Sequence, residues 1–168
     1  MNVDKDDISL IKEKVMISLL QDHDVVSILA DKANVTTPAM ELRYTQVFPW
    51  PHVPGTTDEV KTYITFEVTT NGIDNPAVKD YELRVYIFTH DSKMPFDTAA
   101  AQRIGINVRG TRIDILAHII DHLLNGQSGY GFGDLKLIGD RTFSPCDSYF
   151  GRIRIYSIKG WNMAGEQL

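Results

Sequence analysis

The sequence predicts an α+β fold: a mainly antiparallel sheet of about four or more strands, with an N-terminal helix and one central amphipathic helix packed on one face. Three observations lead there. Over Lys79–His90 the residues Tyr81, Leu83, Val85 and Ile87 alternate with Glu82 and Arg84, the period of a strand with one buried face. Over Thr111–Asn125 the residues Ile113, Leu116, Ala117, Ile120, Leu123 and Leu124 recur at helical spacing, with Asp114, His118, Asp121, His122 and Asn125 opposite. The order along the chain is helix, paired strands, helix, paired strands, which gives an antiparallel sheet with helices on one side.

Each element has its own signal. Asp6 or Asp7 caps a first helix, and Ile8, Ile11, Val15, Leu19 and Leu20 give it an apolar stripe through Gln21. Asp24 is placed to cap a second helix, Val25 to Lys32. Residues 41–57 read as a stiff extended segment, because Pro49, Pro51 and Pro54 rule out a central strand there. Two readings are open for its aromatic residues: Phe48 and Trp50 pin the segment to the body, or they form a docking arm for a partner. Glu59–Thr70 alternates and is rich in β-branched residues, so it pairs with Lys79–His90 as a hairpin across the turn Asn71–Pro76. Residues 91–108 read as a long connection, a mobile or partner-binding loop, with a helical turn or two at Asp97–Ile104. Thr111 and Asp114 resemble a capping box, and Asn125–Gly126 stops the central helix. Glycine-rich Gln127–Gly133 links to a closing hairpin, Asp134–Phe143 and Ser148–Lys159. A short tail follows, with Trp161 packed.

The totals narrow the function. One domain covering 1–168 is expected, and 43% hydrophobic content supplies its core. A formal net charge of −5 argues against a general nucleic-acid binder, which needs a basic face. Cys146 is the single cysteine, so no internal disulfide forms. No apolar run reaches membrane-spanning length, and the acidic start lacks the basic region of a signal peptide. A protein made in a cytoplasm is expected, with no membrane partner.

Chemistry is sparse. His118 and His122 lie four apart on one helix, as a metal pair would, with Asp121 between them. The run faintly resembles an inverted zinc-protease motif, with Asp where Glu belongs. The plainer reading is a solvated polar face in which Asp and His support each other. Gly129–Gly133 lacks the Lys-Ser/Thr of a phosphate loop and precedes a strand. No catalytic, cofactor-binding or metal residue is therefore assigned, and no enzyme activity is expected. Arg84, Arg152 and Arg154 alternate with apolar residues on their strands; with Tyr156 they form a candidate interface, or they protect sheet edges.

The segments Tyr81–Phe88, Arg112–Leu124 and Arg152–Tyr156, in this order of elements, resemble those of bacteriophage tail terminator (tail completion) proteins. The resemblance is one of pattern over most of the chain. It implies a virion structural subunit that assembles as a hexameric ring at the tail or neck. Its neighbours would be the tail tube protein and head-side connector proteins, with DNA passing through the ring unread. The related alternative is a head–tail connector of the same neck. Readings from other classes are a metal-dependent hydrolase using His118 and His122, and a monomeric peptide-binding module using Phe48 and Trp50.

Overall fold

Two long hairpins build the sheet in the computed structural model, which describes residues 7–55, 60–75 and 78–161. In chain order the helices are α1 (Asp7–Gln21), α2 (His23–Ala30), α3 (Thr98–Arg103) and α4 (Arg112–Leu124). The strands are β1 (Val47–Phe48), β2 (Thr62–Asn75), β3 (Val78–His90), β4 (Pro95–Phe96), β5 (Gly110–Thr111), β6 (Phe132–Phe143) and β7 (Tyr149–Trp161). β2 and β3 pair antiparallel, as do β6 and β7. The hairpins join through β3 and β7, in register from Val78↔Trp161 to His90↔Tyr149. The sheet order is β1-β2-β3-β7-β6, with β1 alone parallel to its neighbour. The fold is α+β, as the alternation predicted. The first hairpin runs further than expected: Asn71 to Asn75 continue β2, with register shifts after Thr70 and Ile73. Pro76, the tail from Asn162 on and the side chain of Trp161 lie outside the described residues, as do Met1–Asp6 and Thr56–Glu59.

Period two sends alternate strand residues to opposite faces. Ile64, Phe66 and Val68 of β2, Leu83, Val85 and Ile87 of β3, and Tyr156 and Ile158 of β7 meet the helices. α1 supplies Ile11, Val15, Met16, Leu19 and Leu20; α2 supplies Val25, Ile28 and Leu29; α4 supplies Ile115, Leu116, Ala117, Ile120 and Leu124. Each fully buried aliphatic side chain contributes about 1.5–3 kcal/mol of transfer energy.

The helix ends are fixed by side chains. Thr111 accepts from the amide of Asp114, and its hydroxyl donates to that carboxylate at 2.5 Å. Asn125 Oδ1 accepts from the Leu137 amide at 3.0 Å, which ties the end of α4 to β6. α2 starts two residues earlier than predicted. Asp22, extended at φ −75° and ψ 119°, accepts from the Val25 amide, so Asp24 lies inside the first turn instead of capping it.

Two expected extended segments are largely packed. In 91–108, Phe96, Ala101, Ile104 and Ile106 are buried in the main core. Asp97 caps α3 there, and β4 pairs with β5. Apolar side chains that had no obvious period in the sequence close the lower end of the core. In 41–57, Leu42, Val47 and Phe48 are buried, and Val47–Phe48 forms the edge strand just before Pro49.

Candidate interaction surfaces

The sequence from Arg43 to Val53 builds a half-exposed aromatic platform beside α1. Tyr44 sits at φ +62°, a left-handed conformation that a bulky side chain adopts only under constraint. Its amide donates to the Val47 carbonyl at 2.8 Å, closing the turn into β1. The turn stacks the Tyr44 ring on Trp50 at 5.5 Å between centroids, with 22° between planes. Phe48 meets Trp50 edge-on at 5.5 Å and stacks on His52 at 4.0 Å. Phe48 is buried, whereas Tyr44 and Trp50 remain 49% and 45% exposed. So the two aromatic residues singled out in this segment divide the roles between them: Phe48 pins, and Trp50 is presented. Between the platform and α1 lies a groove of about 350 Å³, walled by Ser9, Lys12, Glu13 and Met16 on the helix side. Arg43 braces it, donating to Glu13 at 2.7 Å while its guanidinium lies 4.9 Å from the Tyr44 ring centre.

The sheet face away from the helices is the second surface. The register aligns Glu67, Arg84 and Ile155 in one row and Thr65, Tyr86 and Ile153 in the next. Arg84 Nε donates to Glu82 at 2.5 Å, and the Tyr86 hydroxyl donates to Glu67 at 2.5 Å. Glu82 is only 8% exposed, yet the Arg84 partnership satisfies it. Burial, followed by the Glu67 carboxylate, pushes the Tyr86 phenol up to about 12. A depression of about 300 Å³ opens beside this network, floored by Ile153 and Ile155 and flanked by Ile138 and Arg141. At the other end of the face Phe48, Tyr63, Phe88 and Tyr149 form a small second core. The Phe143 ring covers Gly151 there; a Cβ on Gly151 would lie 2.5 Å from that ring and 2.6 Å from the Ile87 carbonyl.

Residues 19–158, most of the 168, match the family model named YomW. The chain belongs to the YomW family. YomW is a phage-derived name, from an SPbeta-like prophage, and the family places the chain among phage-related proteins. No curated protein matches it.

The expected arginine surface of this YomW-family chain does not assemble as one patch. Arg84 lies on the helix-free face. Arg152 and Arg154 lie on the other, with Tyr156. Arg152 bonds Asp114 of α4 and Asp140 of β6, each at 2.7 Å, and Arg154 approaches Asp140 at 3.6 Å. Those pairs tie α4 to the closing hairpin. Tyr156 is buried in the core; its hydroxyl donates to Asp121 at 3.3 Å, and burial with that carboxylate raises its pKa. Its role as part of an exposed interface is corrected to a core role.

The helix histidines are exposed, with ring centres 4.5 Å apart. Among the described residues no group of three or more His, Cys, Asp or Glu side chains is placed to hold a metal ion. Among the described residues no helix is long and apolar enough to cross a membrane. Sequence reasoning missed Tyr44, whose left-handed backbone has no composition signal, and Arg112, which opens α4 and is 5% exposed.

Proposed function

We propose that this YomW-family chain is a structural subunit of the phage virion, a ring-forming tail terminator at the junction of tail tube and head-side neck. The observation that carries the reading is the division of the molecule's surface. Helices cover one sheet face, the other face carries no helix, and the Tyr44–Trp50 platform stands at one side of the sheet. At the opposite side β6 ends the sheet, and no described strand pairs with its outer edge. A ring subunit meets its neighbours through two different patches, and this chain offers two on opposite sides. Hexameric stoichiometry and the tail tube and connector neighbours follow from the resemblance to tail terminators. The formal charge of −5 suits a subunit that contacts proteins and lets DNA pass.

Imaging of assembled particles tests the reading. The expected result is a ring of copies between tail tube and neck. Absence from that position, or a single asymmetric copy, overturns it; a ring on the head side of the neck selects the head-closure alternative. Trp50→Ala sharpens the test. Trp50 is half-exposed, so the variant is expected to fold with nearly unchanged thermal stability and to enter particles at least tenfold less well. Wild-type incorporation of Trp50→Ala removes the platform from the contact.

The same reading gives the histidine pair no metal and the chain no chemistry. Elemental analysis of purified protein is expected to find no stoichiometric zinc. Zinc at one per chain that disappears in a His118→Ala/His122→Ala variant would revive the hydrolase.

A further inference from the structure

A third concavity, of about 330 Å³, lies away from both surfaces, between the end of α2, the turn after β3, α3 and the start of α4. Its lining holds three cations, Lys93, Arg103 and Arg112, against one carboxylate, Asp31. Two positive charges are thus uncompensated in a chain whose overall formal charge is −5. The cations differ in what holds them. Arg112 is fixed: Nε donates to the Lys93 carbonyl at 2.9 Å, and Nη1 donates to the Ile28 carbonyl at 3.0 Å and to Asp31 Oδ1 at 2.7 Å. The Phe96 ring centre lies 5.0 Å from its guanidinium carbon. Nη2 takes part in none of these bonds. Lys93 pairs with the other oxygen of the same carboxylate, Asp31 Oδ2. Burial works against the Asp31 charge, but Lys93 and Arg112 outweigh it and hold the carboxyl below its ordinary range. Asp31 is therefore a committed anion shared by two cations, and it leaves the third without a partner. The side chain of Arg103, exposed at the end of α3, makes no hydrogen bond or ion pair among the described residues.

We infer that this pocket binds a phosphate dianion, as free phosphate or as a phosphate monoester. Charge selects a dianion, and the guanidinium forks favour a tetrahedral one. A phosphate monoester carries about −1.5 to −2 near neutral pH, which matches the excess of two. A single carboxylate, or one phosphodiester of a nucleic-acid backbone, leaves one positive charge unmet. Geometry agrees. A guanidinium presents a planar fork that suits tetrahedral oxyanions, and Arg103 is free to turn its fork onto an ion held by Arg112 Nη2 and Lys93. Arg112 is held by three hydrogen bonds and so presets one side of the site, which reduces the ordering needed on binding.

Titration calorimetry of the full chain with sodium phosphate, at ionic strength held constant with sodium chloride, tests the inference. Arg103→Ala is the variant, since its side chain supports nothing else in the fold. Wild type is expected to bind one phosphate per chain, and Arg103→Ala to bind at least tenfold more weakly at unchanged thermal stability. Sodium acetate is expected to bind at least tenfold more weakly than phosphate. A phosphate monoester such as glycerol phosphate separates the two sources: stronger binding than free phosphate assigns the site to an esterified group, weaker binding to the free ion. Equal binding by wild type and Arg103→Ala, an adventitious ion only, overturns the site. So does a short single-stranded DNA without terminal phosphate that binds through Arg103 as tightly as phosphate, because the charge argument then fails.

Discussion

Replacing Leu116 by alanine is expected to destabilise the fold by about 2–5 kcal/mol, measured by chemical denaturation. Leu116 is fully buried at the middle of α4, where the helix crosses β3 and β7. The helix that carries it packs on elements far apart in sequence: β3 of the first hairpin, β7 of the second, and α2. Truncation leaves a cavity that none of those elements can close without leaving its own register. The spread of the estimate reflects how far the site relaxes. Ile17→Ala on α1 is the comparison, since Ile17 is 42% exposed and its truncation is expected to cost less than about 1 kcal/mol. Equal denaturation midpoints for Leu116→Ala and wild type would overturn the core assignment of α4.

What could be read from the sequence was what repeats. Tyr81, Leu83, Val85 and Ile87 line the core at their predicted spacing, and so do Ile113, Leu116, Ala117 and Ile120 of α4. The Thr111–Asp114 cap was also legible, because capping depends on residues three apart. Features made by distant partners were not. Alternation correctly put Arg152 and Arg154 on one face of β7. It carried no information that α4 and β6 would bring Asp114 and Asp140 to that face, so two internal ties resembled an open surface. The 91–108 segment has apolar residues at irregular intervals, since it winds through a short turn, a two-residue strand and a six-residue helix. Irregular spacing reads as a loop even when the side chains are buried. For the interaction surfaces, the prolines marked where Trp50 would stand out, while the left-handed turn at Tyr44 that builds the other half of the platform left no mark.

Arg112→Ala is expected to cost about 3–5 kcal/mol, mostly from two carbonyls that lose a buried donor at about 1–3 kcal/mol each, since Asp31 is 35% exposed and keeps Lys93. Arg112 is 5% exposed, and its guanidinium joins four pieces of chain: the last turn of α2 through the Ile28 carbonyl, its C-cap Asp31, the turn after β3 through the Lys93 carbonyl, and Phe96 of β4. Alanine leaves two carbonyls without this donor and the Asp31 carboxylate with Lys93 alone. Arg112→Lys keeps the charge, but one ammonium on a flexible stem cannot reproduce a planar fork aimed at three acceptors, so a loss of roughly 1–3 kcal/mol is expected. The network also has a signature in pH. The Asp31 carboxyl is held below its ordinary value of 3.8, so its contribution is whole above that value and is lost as the pH falls through the lower, folded-state one. Wild type should therefore lose stability below about pH 4 more steeply than Arg112→Ala, in which the carboxyl has lost one of its two cations. Denaturation midpoints measured from pH 7 down to pH 3 decide it. Parallel curves for the two proteins, or an Arg112→Ala midpoint equal to wild type at pH 7, would show that the lobe at 91–108 is held by its apolar contacts and not by this arginine.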